Sequence, residues 1–251
     1  MPLHRKALIS ASLAAVALAI AGPAFADGDI SGMWSLMNYK ATSVYPAAQR
    51  IPQTLEGGAP AMQPWARDLY AKRIADSDKG QPFAASNLSC LPMGMPLMMM
   101  AANYPIQVIQ TPKQVTMLFE ETRVFRVIRM NEPHLPEAEN FGFLGDSIGR
   151  WEGDTLVVDT TGFNDKTSID LTGMPHTEAM HLEERFRRLG DGTLEDLITV
   201  DDPKTFTKPW TTRTLYRPSG ERIMEYFLCE NNRNPPTADG NAGFVRPGAK
   251  R

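Results

Sequence analysis

The sequence predicts a mainly β protein whose antiparallel strands close into a barrel. From residue 106 to residue 230, short apolar-rich runs recur at close spacing, which is typical of strands joined by hairpins. Turn-forming residues separate the runs, as in Thr-Pro-Lys at 111–113 and Gly-Asp-Gly at 190–192. A sheet of this many strands tends to curl, and closure removes its unpaired edges.

The first 26 residues are predicted to form a secretory signal peptide. Residues 4–6 are basic, residues 7–21 are apolar, and Ala24-Phe25-Ala26 has the small-x-small form that signal peptidase cleaves. An uncleaved membrane anchor is the less favoured alternative, because the apolar run is shorter than the roughly 20 residues that span a bilayer. We therefore expect a periplasmic or secreted protein of about 225 residues with no membrane-spanning segment in the mature chain.

The charge balance gives no reason to expect a nucleic-acid partner. The chain has 26 Lys and Arg residues against 29 Asp and Glu residues, a net charge of −3, and losing the two basic residues of the signal peptide gives −5. A mildly acidic surface does not attract nucleic acid or anionic membranes.

The N-terminal part of the domain, residues 27–103, is predicted to hold one strand, a long irregular segment and one helix. The strand runs from Ile30 to Leu36 and carries Gly32-x-Trp34. Residues 38–63 are rich in Pro, Gly and Ala and lack a clear period. The helix begins at Pro64, a residue suited to the first turn, and ends at Gly80.

The barrel region, residues 104–231 of the same domain, is predicted to hold the remaining strands. The apolar-rich runs lie at 106–111, 114–120, 123–130, 147–152, 155–163, 179–189, 193–202, 209–218 and 222–230. The last 20 residues, 232–251, are predicted to be a disordered tail.

Two cysteines, Cys90 and Cys229, are present. An exported protein with two cysteines is a candidate for one disulfide. Two separate buried thiols are the alternative, and spacing alone does not distinguish them.

The stretch GMPHTEAMHLEERF, residues 173–186, is the first candidate for chemistry. Side chains alternate across a strand, so one face would be wholly polar or charged. That face carries His181, Glu183, Arg185 and Arg187. It is either a solvated outer wall or the polar lining of a pocket inside the barrel. Glu184 falls on the mostly apolar face and would need a partner there.

A metal site is the less favoured reading of the histidines. His176 and His181 can converge only if His176 lies in a loop that folds back over the strand. With His134 and Glu178 they could bind zinc, but the ligand spacing of known zinc motifs is missing. The acidic set Asp159, Asn164, Asp165 and Asp170 likewise lacks the spacing of a calcium loop. We therefore expect no cofactor.

Three functions are consistent with these residues. The first is binding of a small, partly apolar molecule in an internal pocket. Its expected lining is Trp34, Arg150, Trp151, Arg185 and Phe186. The second is a lyase, isomerase or hydrolase, with His176 or His181 as general base, Glu178 or Glu183 as its partner, and an arginine stabilising an oxyanion. The third is an envelope interaction module without a small ligand.

The chain resembles two groups of known proteins. Gly32-x-Trp34 resembles the opening of lipocalins, which implies a lipocalin-like (calycin-type) barrel. The blocks GRWEGDTLVVDTTGFND, PHTEAMHLEERF and DDPKTFTKPW are similar to those of a large family of exported bacterial proteins of unknown function. This second resemblance covers about residues 89–231 and implies no activity. Because Cys90 and Cys229 both lie in matching blocks, it favours their pairing.

Overall fold

A computed structural model describes residues 28–37, 52–79, 92–101, 104–121, 124–136 and 142–224. Two helices lie in these ranges, α1 (Pro64–Asp78) and α2 (Leu97–Met100). The strands are β1 (Gly32–Leu36), β2 (Ile106–Gln110), β3 (Gln114–Phe119), β4 (Val124–Met130), β5 (Asp146–Glu152), β6 (Thr155–Thr161), β7 (His181–Arg188), β8 (Leu194–Asp201) and β9 (Trp210–Pro218).

The nine strands form one closed barrel in sequence order. Each strand pairs with the next, and β1 closes the barrel by pairing with both β2 and β9. The predicted fold class, a mainly β barrel of lipocalin-like type, is therefore confirmed. None of the helices in the described part of the chain has the length and apolar character needed to cross a membrane.

One strand pair corrects the prediction of a wholly antiparallel sheet. β4 and β5 run parallel, with Ile128 opposite Ser147 and Met130 opposite Gly149. Residues 131–145 connect them, and a connection of this length can return the chain to the same end of the sheet, which a tight hairpin cannot do. Helix α2 is also absent from the predictions, because four residues are too few to show a helical period.

Several predictions fall on residues outside the described ranges. These are the signal peptide, most of the irregular segment, both cysteines and the tail. Of the predicted strand at 222–230, only residues 222–224 are described, and they form no strand. Helix α1 begins at Pro64 as predicted and ends at Asp78, two residues before Gly80.

The side chain of Trp34 is buried beside the end of β7. It is 2% exposed, and its indole N–H donates to the carbonyl of Ile30 at 2.9 Å. The guanidinium of Arg188 lies 4.9 Å from the centre of the Trp34 ring and donates to the carbonyls of Asp29 and Ser31. The tryptophan of the Gly-x-Trp pattern thus joins β1, the segment before it and the end of β7.

The buried face of the barrel is not wholly apolar. Arg126 on β4 is 2% exposed and forms an ion pair with Glu184 on β7, which is 0% exposed. The Arg126 guanidinium also donates to Ser147 at 3.0 Å and to Thr160 at 2.9 Å. This is the partner that Glu184 was expected to need. Nearby Asp196 is fully buried, and burial together with the charge of Glu184 raises its pKa well above the ordinary value, which favours the neutral carboxyl.

The methionine-rich segment packs into the same core. Met93, Met95, Met98 and Met99 are at most 2% exposed. The hydroxyl of Tyr216 on β9 donates to the carbonyl of Met99 at 2.5 Å. This contact fixes α2 against the strands, so the methionines fill space rather than line an open surface.

Candidate functional site

The polar face of β7 forms part of the outer wall of the barrel. His181, Glu183 and Arg185 are partly exposed, whereas Glu184 and Phe186 on the opposite face are 0% exposed. Of the two alternatives that alternation left open, the solvated outer wall is correct and the inward polar lining is wrong. The physical reason is that β7 turns its apolar side chains inward and pairs its one inward carboxylate with Arg126.

The five residues expected to bind a ligand lie in different places. Trp34 and Phe186 are buried in the core. Arg150 and Arg185 lie outside, where both donate to the carboxylate of Glu152 at 2.7 Å. Trp151 packs against Gly28, where a Cβ atom would lie 2.2 Å from the indole ring. These side chains do not converge on one cavity.

A cleft of about 260 Å³ lies on the surface between α1 and the β6–β7 connection, residues 162–180. One helix face, at positions separated by four residues, forms one wall of the cleft, and the connection forms the rest. The lining residues are Trp65, Leu69, Arg73, Asp165, Lys166, Thr167, Pro175, His176 and Thr177.

Thr167 and His176 form a hydroxyl–imidazole pair in this cleft. The hydroxyl oxygen of Thr167 lies 2.7 Å from Nε2 of His176, and Nδ1 of His176 lies 3.2 Å from the carbonyl oxygen of Thr177. A carbonyl only accepts, so Nδ1 carries the proton and Nε2 accepts from the Thr167 hydroxyl. Burial lowers the pKa of His176, which keeps the imidazole neutral and able to accept a proton.

The β6–β7 connection is held in shape by Asp170. Its carboxylate accepts hydrogen bonds from the Tyr70 hydroxyl on α1 and from the main-chain N–H groups of Thr172 and Met174. Arg73 donates to the carbonyl of Gly173 at 2.5 Å. Helix α1 therefore supplies a wall of the cleft and also fixes the loop that carries the pair.

Gly94 packs directly against Thr167. A Cβ atom at Gly94 would lie 2.6 Å from Cγ2 and 2.7 Å from Oγ1 of Thr167, and the backbone has a φ of +80°. Only glycine adopts this conformation without strain and leaves that space open. The segment before α2 thus packs against the Thr167 side chain, including the hydroxyl oxygen that contacts His176.

The other two described histidines meet on the outer wall. His134 lies 2.9 Å from Asp146 through Nδ1 and 2.6 Å from Asp159 through Nε2. His181 shares Asp159 through a 2.7 Å contact from its Nε2 atom. His176 lies in the cleft instead, so the three histidines considered for zinc do not form one site. Within the described ranges, no group of three or more His, Cys, Asp or Glu side chains is arranged to hold a metal ion.

The predicted glutamate partners are also separated. Glu178 is exposed on the connection, and Glu183 lies on the outer wall, 3.6 Å from Arg185. Among the described residues, neither glutamate forms a hydrogen bond or an ion pair with a histidine. The side chains that hydrogen-bond to the histidines are instead those of Thr167, Asp146 and Asp159.

His134 acts as a charged clamp on the loop after β4. Burial opposes its charge, but hydrogen bonds to Asp159 and Asp146 outweigh burial and raise the pKa of His134. Asp146 also accepts from the main chain of Leu135 and from Arg129. A protonated ring can donate to both carboxylates at once, whereas a neutral ring can donate to only one.

Raising the pH is expected to weaken this clamp. The folded-state pKa of His134 lies above its ordinary value of 6.5, so its stabilising contribution is complete below about pH 6.5 and is lost as the pH rises through the folded-state value. We expect a loss of about 1 kcal/mol, because the ring is partly exposed. Urea unfolding of wild type and His134→Gln at several pH values measures it, and the difference should shrink as the pH rises.

The matched control for this experiment is His176→Gln. Burial lowers the pKa of His176, so its contribution is complete above about pH 6.5 and is lost as the pH falls towards the folded-state value. The stability difference for this variant should shrink in the opposite direction. A difference for His134→Gln that does not change with pH would contradict the charged clamp.

One further motif is Gly145-x-Ser147-x-Gly149, which has the Gly-x-Ser-x-Gly form of a nucleophile elbow. That motif requires a strand-to-helix turn with an exposed serine. Here Ser147 lies within β5, is 3% exposed and bonds to Arg126 and Thr160. It belongs to the buried polar network and is not a candidate nucleophile.

No protein-family model matches the chain, and no curated protein shows detectable similarity to it. The resemblance to exported bacterial proteins and to the lipocalin opening therefore stays a prediction.

Proposed function

We propose that the protein is a hydrolase that cleaves small esters in the cleft between α1 and the β6–β7 connection. The observation that carries this proposal is the 2.7 Å contact between the Thr167 hydroxyl and Nε2 of His176. A hydroxyl nucleophile needs an adjacent base, and the base needs a third group that orients it. Neutral His176, with Nδ1 held by the Thr177 carbonyl, meets both requirements.

The reaction uses the Thr167 hydroxyl as nucleophile. Its oxygen attacks the ester carbonyl carbon, and its proton passes to Nε2 of His176. The bond to the leaving alcohol then breaks, and the imidazolium returns the proton to the departing oxygen. Water repeats both steps on the acyl-threonine, which releases the acid and restores the hydroxyl.

The cleft walls match these steps. Lys166 and Arg73 bring positive charge into the cleft, and a cation there favours the oxyanion that forms on the carbonyl. Trp65 and Leu69 offer apolar surface to an acyl or alkyl group. A volume of about 260 Å³ suits a small substrate.

Binding of a small molecule inside the barrel is less favoured. Trp34 and Phe186 belong to the packed core and Trp151 packs against it, whereas Arg150 and Arg185 lie outside, at Glu152. Export to an oxidising compartment and a disulfide between Cys90 and Cys229 are retained in the proposal, since both rest on the sequence.

Thr167→Val is the decisive variant, because it removes the hydroxyl and keeps the side-chain volume. We expect wild type to hydrolyse p-nitrophenyl acetate and butyrate, and Thr167→Val to lower kcat/KM at least about 100-fold. Peptide mass spectrometry of the acetylated intermediate should place the acetyl group on Thr167. His176→Gln should cause a comparable loss.

Thr116→Val is the matched control, because Thr116 lies on the outer face of β3, away from the cleft. It should leave hydrolysis unchanged. Thr167→Ser should retain acetylation. Equal hydrolysis by wild type and Thr167→Val, or acetylation only at other residues, overturns the proposal.

A further inference from the structure

Asp202, the residue that follows β8, is a buried carboxylate that the proposed reaction has not yet used. It is 0% exposed. One oxygen accepts from the Thr177 main-chain N–H at 2.6 Å and from the Thr205 hydroxyl at 2.8 Å. The other accepts from the Thr177 hydroxyl at 3.0 Å and from the Lys204 N–H at 3.1 Å. Four donors therefore fix the orientation of this one buried carboxyl group.

Thr177 connects this carboxylate to the imidazole. Its N–H belongs to the peptide that joins it to His176, and that N–H is held by Asp202. Its carbonyl oxygen accepts from Nδ1 of His176. With both main-chain groups of Thr177 engaged, the ring is fixed with Nε2 facing the Thr167 hydroxyl.

We infer that Asp202 is a positioning residue that acts on His176 through Thr177. The inference rests on the proposed function, because the role of the ring is that of a general base. The resulting order is carboxylate, main chain, imidazole and hydroxyl, so the carboxylate of Asp202 orients the base without contacting it.

The charge of Asp202 adds an electrostatic effect. Proton transfer from Thr167 turns His176 into a cation in a buried place, and burial disfavours that cation. Asp202 and Asp165 are the anions whose charges oppose the effect of burial on the pKa of His176. The cations facing the same cleft are Lys166 on the connection and Arg73 on α1. Removing the charge of Asp202 therefore makes His176 harder to protonate.

Asp202→Asn tests the inference through the kinetic constants, the pH profile and the titration of His176. We expect kcat for p-nitrophenyl acetate to fall roughly 10- to 100-fold, the scale expected for a misplaced catalytic group, while KM changes less than about threefold. The acidic limb of the kcat/KM profile should move to lower pH. The pH titration of the His176 ring-proton NMR signal, measured without substrate, should also have its midpoint at lower pH than in wild type.

Thr205→Val is the matched control, because it removes another donor to Asp202 without touching Thr177. It should lower stability and leave the pH profile and the His176 titration unchanged. Asp202→Glu keeps the charge but displaces the carboxylate. The His176 titration in this variant should therefore match that of wild type, while kcat should still be lower than in wild type. If Asp202→Asn does not fold, Asp202→Glu decides, and wild-type kcat in that variant overturns the inference.

The two proposals fail in different ways. Absence of ester hydrolysis by wild type removes the proposed function, while the NMR titration still reports whether Asp202 sets the ionisation of His176. Hydrolysis by wild type, combined with an unchanged titration and an unchanged kcat in folded Asp202→Asn, removes only the positioning role.

Discussion

Replacing Glu184 with alanine is expected to lower the free energy of unfolding by about 3–5 kcal/mol. The carboxylate is 0% exposed and pairs with Arg126, which is 2% exposed. Nη1 and Nη2 of the guanidinium each donate to one oxygen of Glu184, and the bond from Nη1 is 2.9 Å long. Without Glu184 the guanidinium stays buried without an anionic partner, because Ser147 and Thr160 offer it only neutral hydroxyl acceptors. Urea unfolding followed by tryptophan fluorescence measures the change.

The double variant Arg126→Met/Glu184→Leu is the control for Glu184→Ala. It replaces both charges with apolar groups of similar size, so its stability should lie close to that of wild type. Asp196 is expected to soften the loss in Glu184→Ala, because removing the charge of Glu184 lowers the pKa of that buried carboxyl and favours its ionisation near Arg126. Adding Asp196→Asn to Glu184→Ala should therefore lower stability further. A loss of unfolding free energy under about 1 kcal/mol, both in Glu184→Ala and in Glu184→Ala/Asp196→Asn, would contradict this account.

Trp34→Ala is expected to cost about 3–5 kcal/mol, the range for removing a large buried aromatic side chain. The ring is buried beside the end of β7, holds the carbonyl of Ile30 and supports the guanidinium of Arg188. Its loss opens a cavity and frees the segment before β1. Trp34→Phe should cost less, because it keeps most of the packing and loses the indole hydrogen bond.

Trp65→Ala gives the comparison for Trp34, since the side chain of Trp65 is 46% exposed on α1. Its removal should lower the free energy of unfolding by no more than about 1 kcal/mol. Thermal and urea unfolding of the two alanine variants make the measurement. Similar losses of unfolding free energy at both positions would contradict the packing role described for Trp34.

The strand pattern of the barrel could be predicted from local sequence. In β3 and β7, alternation sorts the side chains into two faces, because neighbouring residues of a strand point to opposite sides. The need of Glu184 for a partner also followed from alternation. Which residue would supply that partner did not, since Arg126 lies 58 residues earlier in the chain.

The candidate site was predictable only in part. The sequence points to His176 as a possible base, because a histidine in a loop before a polar strand is a reasonable candidate. It does not point to Thr167, because one threonine among many carries no spacing signal. Tyr70 and Asp170, which hold the connection in place, are separated by 100 residues, and no local pattern joins them.

The sequence by itself determined the strands, the helix start and the alternating faces, because these depend on neighbouring residues and on the fixed geometry of the backbone. Only the tertiary structure decided which face of β7 points inward, that β4 and β5 run parallel, and that His176 meets Thr167 while His134 and His181 meet Asp159. Those outcomes depend on barrel closure and on contacts between distant segments, where burial and charge pairing select one arrangement among several that the local sequence allows.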